Sequence, residues 1–386
     1  MSLRPHSTLS ALTDNVPALA ATRIVSPAPR DVWQRIAAAD PNAVATQTPQ
    51  WVDGLCSARG YVDASRLYEL PDGRSLILPL AAKTFAGMRI TEESWPHGWG
   101  YGGALISGGH LAISDLRLVL ADLARRPVIR AAVVPMPLTG TVWAAAAPRT
   151  TQRVRYLTQI LDLDGGFNTV WSKRYKKKTR WEVRKAERCS LEIRRGHGGT
   201  ALDVFSGLYH QAVDRWAHRS GHPLWVARLL ERHRNHAGQV AAASAALGKA
   251  CVIWSAHRAG EPVAVNVVLQ YGQHSILWLA AVNRELAQQT MAGHLLKSMA
   301  IEHACQSGAR YFHMGESEPG SGVEQYKASF GATPVQYQAL RFERLPLTNT
   351  ERRLRATVKN AQLAQTPNLT PGVKICRPKP STDNVT

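Results

Sequence analysis

No stretch of the 386-residue chain approaches 18 uninterrupted apolar residues, so no transmembrane helix is expected. The five cysteines (56, 189, 251, 305 and 376) are scattered, odd in number and form no Cys-x-x-Cys pair. That excludes a zinc or disulfide framework and fits reduced thiols in a cytoplasmic setting. The opening MSLRPHSTLSALTDNVPALAATRI lacks the basic-then-apolar pattern of a secretory leader. No P-loop and no nucleophile elbow occur, which removes the sequence basis for phosphate-loop and serine-hydrolase chemistry. His210 and Asp214 stand four apart on a helical stretch, but no third ligand accompanies them, and no metal is expected. Acidic residues are scarce as well: 28 Asp+Glu against 47 Lys+Arg leave a formal charge of +19. Such an excess points to polyanionic partners.

What is present is ordinary globular material, 45% hydrophobic and long enough for two cores. Residues 1–22 are Ser/Thr/Pro/Ala-rich and are expected to be poorly ordered. A short amphipathic helix around Trp33 and a second around Trp51 precede strands at 65–70 and 75–80, parted by Pro71-Asp72-Gly73. Between 95 and 109, seven of fifteen residues are Gly or Pro, which makes this stretch a loop with close backbone approaches. A helix at 112–125 and a strand at 128–134 complete the first half. In the second half a strand at 153–163 is followed by the basic stretch 171–195 and helices at 201–218 and 223–236. Runs at 251–258, 263–270 and 274–282, joined by short Gly-containing turns, predict a three-stranded antiparallel meander. The sequence HLLKSMAIEHACQSG then keeps helical spacing, Tyr311 to Gly315 forms a strand, and YKASFGATPVQYQALRFER adds a helical turn and a last strand. Beyond Pro346 a basic helix and a Pro/Thr/Asn-rich end are expected.

Meander, helix, strand, helix turn, strand is the order of a GCN5-related N-acetyltransferase (GNAT) core. The wording AGHLLKSMAIEHACQSGARYFHMGESEPGSGVEQYKASFGATP resembles the Fem-type branch of that superfamily, and TQTPQW with GYGGAL in the first half is similar to Fem-like N-terminal domains. The resemblance implies an α/β fold of two tandem GNAT-like domains with mixed central sheets flanked by helices. The first, 23–150, is degenerate, and 151–345 is the transferase domain. It also implies an enzyme that forms an amide by moving an aminoacyl group from aminoacyl-tRNA to an amine of a small molecule or peptide. Cell-wall building and antibiotic tailoring both fit. An acyl-CoA-dependent N-acyltransferase and a non-catalytic nucleic-acid-binding protein on the same scaffold are the alternatives; neither DNA nor a bound cofactor is expected.

The residues supply candidates for each role. In the basic stretch, Lys176, Arg180, Arg184 and Arg188 recur every four residues, with Lys177 and Lys185 beside them, as a stripe for phosphate or tRNA. Trp171, Tyr175 and Trp181 are interleaved, which suits stacking. Gly293 is the one glycine in register at the helix start where a CoA-using GNAT carries its diphosphate loop. Lys327, beside Tyr326, is the cation that the resemblance places at the ester carbonyl, where developing negative charge needs stabilising. His313 and Glu316 are the candidate bases at the strand end. Tyr209 and Trp216 lie on the helix expected to line the acceptor pocket.

Overall fold

The computed structural model describes residues 22–350 apart from 97, 109 and 220–222. The expected loose N-terminus and basic C-terminal helix therefore lie outside the described residues. The described residues through Leu345 form one unit.

A mixed sheet of eleven strands runs through that unit. From one edge its strands are Glu192–Gly196, Cys251–Arg258, Glu261–Tyr271, His274–Val282, Tyr311–Glu316, Gln152–Asp162, Thr333–Glu343, Arg130–Val133, Met88–Ser94, Ala81–Phe85 and Val62–Asp63. The meander forms where period-2 patterning placed it. Its first turn is made by Ala259 and Gly260, both at positive φ (49° and 82°), the backbone a two-residue hairpin turn demands. A smaller sheet joins Arg23–Val25, Arg66–Glu69, Ser75–Leu78 and Leu105–Ile106. The hairpin Ala81–Phe85/Met88–Ser94 carries Lys, Thr and Glu rather than a clean apolar alternation, and no sequence pattern marked it.

The two expected domains share the large sheet. Strand Thr333–Glu343 pairs antiparallel with Gln152–Asp162 along one edge and with Arg130–Val133 along the other, Leu340 opposite Val133. Packing also crosses the halves. Trp51, Trp99 and Trp278 form a cluster with ring centroids 5.1 to 6.2 Å apart, and Trp278 Nε1 donates to Gly98 O. The two first-half phrases TQTPQW and GYGGAL hold each other. Gln47 Nε2 donates to the carbonyls of Gly102 and Gly103, and Thr46 Oγ1 donates to that of Tyr101. Gly102 is required there, because a Cβ would stand 2.4 Å from the carbonyl oxygen of Ser94.

The helix Ala292–Gln306 lies across the meander side of the sheet, with Leu296, Ala300, Ile301 and Ala304 buried against Phe312, Met314 and Phe330. The short helix Gly322–Ala328 is started by Ser321, whose hydroxyl accepts from Glu324 N, while Glu324 reaches back to Gly320 N. This reciprocal cap fixes a helix too short to persist unaided.

Candidate active site

The strand Tyr311–Glu316 is paired along only part of its length. Its parallel pairing with His274–Val282 ends at Ile276↔His313, and its pairing with Gln152–Asp162 is interrupted between His313 and Glu316. Gly315, at φ 74°, makes the break. At the broken end sits Lys327, delivered by the capped helix. Its Nζ donates to the carbonyls of Gly315 (2.8 Å) and Glu316 (2.7 Å). Burial pushes the Lys327 ammonium down to about 8, against the opposing pull of Glu316. A cation thus stands at a strand end with backbone, rather than a carboxylate, as its hydrogen-bonding partner.

Beside it opens a cavity of about 690 Å³, whose walls include Arg155, Tyr156, Glu316, Ser317, Gln336 and Tyr337. That volume is in the range of small-molecule sites. Glu316 Oε1 accepts from the Tyr337 hydroxyl at 2.6 Å, and Tyr337 stacks on Tyr156 with centroids 5.5 Å apart. Burial foremost, with Tyr101 and Glu316 adding to it, raises the Tyr337 phenol well above its ordinary value, so it stays a donor to the carboxylate. Tyr101, from the Gly-rich loop, packs edge-on to Tyr337 and shares a hydrogen bond with Thr158. The first half of the chain therefore braces the floor of this cavity.

The helix start at Gly293 is not an open diphosphate cradle. Ala292 N donates to Thr290 Oγ1, and the amides of His294 and Leu295 both donate to Met291 O. Two of the amides that a helix start leaves over, those of Ala292 and His294, are thus engaged, where an anion site would leave them free, while Leu295 N makes the ordinary helical bond. The Tyr326 hydroxyl donates to Gly293 O at 3.1 Å. Glu182 lies over the same turn, 3.1 Å from His294 Nε2. Burial, with Lys297 and Lys178 nearby, pushes His294 down to about 4, so at neutral pH it stands uncharged beside that carboxylate.

Sequence reasoning passed over Lys297, one turn further along. It is buried, with its ammonium 4.3 Å from the Tyr326 ring centroid and 5.5 Å from that of Phe330. Burial first, then Lys327, pushes it down to about 7. The signal was present: Lys297 falls on the line with Ile301 and Ala304, the buried face of the helix. Tyr337 and Arg155 were missed because a strand pattern says which face a residue takes but not what stands opposite.

The remaining candidates are dispersed. His313 does not line the cavity. It is fully buried, with Nε2 3.0 Å from Nδ1 of His274, which contacts the carbonyl of Pro41 through its other nitrogen. Burial drives His274 down to about 4, and burial plus the His274 charge drives His313 well below the usual imidazole value. The unfolded chain takes up both protons below about pH 6.5 while the folded chain refuses them. Stability from this pair is complete above that pH and should fall as pH drops toward 4, by up to about 1.4 kcal/mol per pH unit for each histidine. Urea titrations of the wild type and His313→Asn across this window should show a shallower pH slope for the variant; equal slopes would refute the assignment.

Tyr209 stacks on Phe205 and lies tilted against His236 in the core, and it is not among the residues lining the cavity. Trp216 lies on the helix Thr200–Arg219, its side chain outside the described residues. In the basic stretch, Lys176 precedes the helix Lys177–Glu187 as its N-cap, and Arg188 follows it. Arg180 does not join a free stripe. Its Nη1 donates to the carbonyls of Trp171, Ser172 and Tyr175, closing the π-helical turn Val170–Arg174. Tyr175 is buried, whereas Trp181 is exposed with Lys185 over its ring. Arg184 lies over Trp171, and Lys176, Lys177, Arg184 and Arg188 face solvent.

Residues 173–328 match the family described as an acetyltransferase (GNAT) domain. No curated protein matches the chain. Among solved structures, FemX is 11% identical and superposes with a TM-score of 0.59, covering 85% of this chain and 99% of its own. A tandem GNAT protein from the clavulanic acid biosynthesis pathway is 16% identical, with a TM-score of 0.49 over 84% of this chain and 99% of its own. The C-terminal domain of a putative lysylphosphatidylglycerol synthetase from Agrobacterium fabrum is 12% identical, with a TM-score of 0.47 over 85% and 95%. At such identities the likeness is one of fold.

Proposed function

We propose, for a chain with the Fem-like GNAT fold and its acyltransferase domain at residues 173–328, that it moves an aminoacyl group from aminoacyl-tRNA onto an amine held in the cavity at Glu316. The acceptor nitrogen attacks the ester carbonyl carbon, a C–N bond forms, and the ester C–O bond breaks to release the terminal ribose hydroxyl. Lys327 supports the oxyanion as charge develops on the carbonyl oxygen. Glu316 faces the entering amine, binds it as an ammonium, takes its proton before the nitrogen attacks, and the amine's protons end on Glu316 and the departing ribose oxygen. An ester is already activated, so the carboxylate needs no neutral-range basicity.

The observation that carries this reading is Lys327, a buried ammonium set on backbone carbonyls at the end of an interrupted strand, beside a cavity with a carboxylate wall. The engaged amides at Ala292 and His294, together with Glu182 over that turn, favour this donor over the diphosphate of CoA. The cationic side chains at Lys176, Lys177, Lys185, Arg184 and Arg188 supply phosphate contacts, and cytoplasmic location is where such a donor is found.

The test is titration of the protein with bulk tRNA and, separately, acetyl-CoA at several salt concentrations, followed by transfer of a labelled aminoacyl group to a panel of amines. Salt-sensitive tRNA binding, no saturable CoA binding and label appearing in amide linkage are expected. Saturable CoA binding with weak tRNA affinity makes the chain a CoA-dependent acyltransferase instead. Binding of tRNA with no transfer to any amine makes it a nucleic-acid-binding scaffold. Lys176→Gln with Arg188→Gln should reduce the slope of log affinity against log salt by about 1.5. Arg180→Gln should leave that slope alone but lower stability by about 1–3 kcal/mol, since three carbonyls lose their donor.

A further inference from the structure

The helix Leu224–Arg234 presents an unusual outer face. Trp225, Arg228, Leu229 and Arg232 follow the i, i+3, i+4, i+7 spacing of one helix side, and all four are exposed, Trp225 by 70% and Leu229 by 55%. Leu230, 50% exposed, flanks them. These side chains, with Leu224, line one shallow groove. The opposite side holds the buried Glu231, bound to His236 at the next helix, so the helix is anchored by its polar inner residue and shows its apolar ones outward. Ala227 packs inward against the core as well, so the outward Trp225, Leu229 and Leu230 are an apolar surplus beyond what the helix needs for its own anchoring. Arg228 is paired with Asp214, while Arg232 has no ion-pair partner among the described residues.

We propose that this stripe is a peripheral docking site for an anionic lipid surface, with Trp225 and Leu229 entering the headgroup boundary and Arg232 extending to lipid phosphates. Large apolar side chains interleaved with arginine suit an interface that is apolar on one side and anionic on the other. The formal charge of +19 supplies long-range attraction to such a surface. A second protein copy is the poorer occupant. An 11-residue helix is only about 16 Å long, too small for the roughly 800 Å² per partner of a stable protein interface. The inference is independent of the proposed transfer reaction.

The experiment is co-sedimentation of the full chain with vesicles of phosphatidylcholine alone and of phosphatidylcholine with phosphatidylglycerol, at low and raised salt. The wild type should associate with the anionic vesicles, less at raised salt, and Trp225→Ser with Leu229→Ser should weaken the partition about tenfold. Both positions are exposed, and a matched thermal melt verifies that the variant is folded. Three outcomes overturn the proposal. One is no association with either vesicle. Another is association that the double variant leaves unchanged, which would assign it to bulk charge. The third is a wild-type dimer in sedimentation that the double variant converts to monomer, which would give the stripe to a second copy.

Discussion

Replacing Lys327 by alanine should lower kcat for amide formation by about a hundredfold or more, the scale on which one preorganised oxyanion donor acts. The expectation follows from where the ammonium is held. Two carbonyls fix it at the broken strand end, and the cavity lined by the adjoining Glu316 leaves room for the reacting ester. Lys327→Ala also leaves those carbonyls without their donor, at about 1–3 kcal/mol. Kinetics must therefore be measured on folded enzyme, with Lys327→Arg as the variant that keeps the charge but shifts it. The pH profile separates electrostatics from packing. The ammonium is pushed down to about 8, so the active protonated form is lost above that pH, and kcat/KM should decline on the alkaline side. A folded Lys327→Ala enzyme with unchanged kcat would remove this residue from the mechanism.

The second large effect should come from Gly331→Ala, expected to lower stability by roughly 3–5 kcal/mol and Tm by about 4–7 °C. Two independent constraints meet at this glycine. Its φ of 84° is a conformation that side chains resist, and a Cβ would stand 2.6 Å from the carbonyl oxygen of Arg174 and 2.9 Å from its carbonyl carbon. Backbone cannot step aside as a flexible side-chain end can. The Arg174 segment is laced to the same turn, since Lys176 N and the Thr179 hydroxyl both donate to Ser329 O. Calorimetry and urea unfolding check the value, and a loss under about 1 kcal/mol would show that the turn relaxes freely.

Gly331 also shows what could be seen in the sequence. The phrase Phe-Gly-Ala could be recognised as a motif, but its physical reason lies 157 positions back, in the main chain of Arg174. Local grammar was readable: the meander and the helix after it obey short-range periodicity, and their turns carry glycine at positive φ. Long-range pairing was not. Nothing near Arg130–Val133 announces that its partner is Leu340–Glu343. Lys327 and Glu316 could be singled out as candidates from the sequence, whereas spacing alone put Arg180 on a solvent stripe although it turns to three carbonyls. His313 read as a candidate base because its partner, His274, comes from a different strand. Lys297 went unremarked because a lone lysine in a helix reads as surface until burial is known.

The shared eleven-stranded sheet has a consequence for the order in which a ribosome makes this protein. Strand Arg130–Val133 emerges early, yet its neighbour on one side comes about two hundred residues later, with Thr333–Glu343. Until then the nascent chain carries an unclosed sheet edge, a template for pairing with other chains. The final strand closes both halves at once, against Gln152–Asp162 and Arg130–Val133. Completion of the sheet therefore waits for residue 333 and beyond, and a ribosome that stalls before it releases two unfinished edges rather than one finished domain and a remainder.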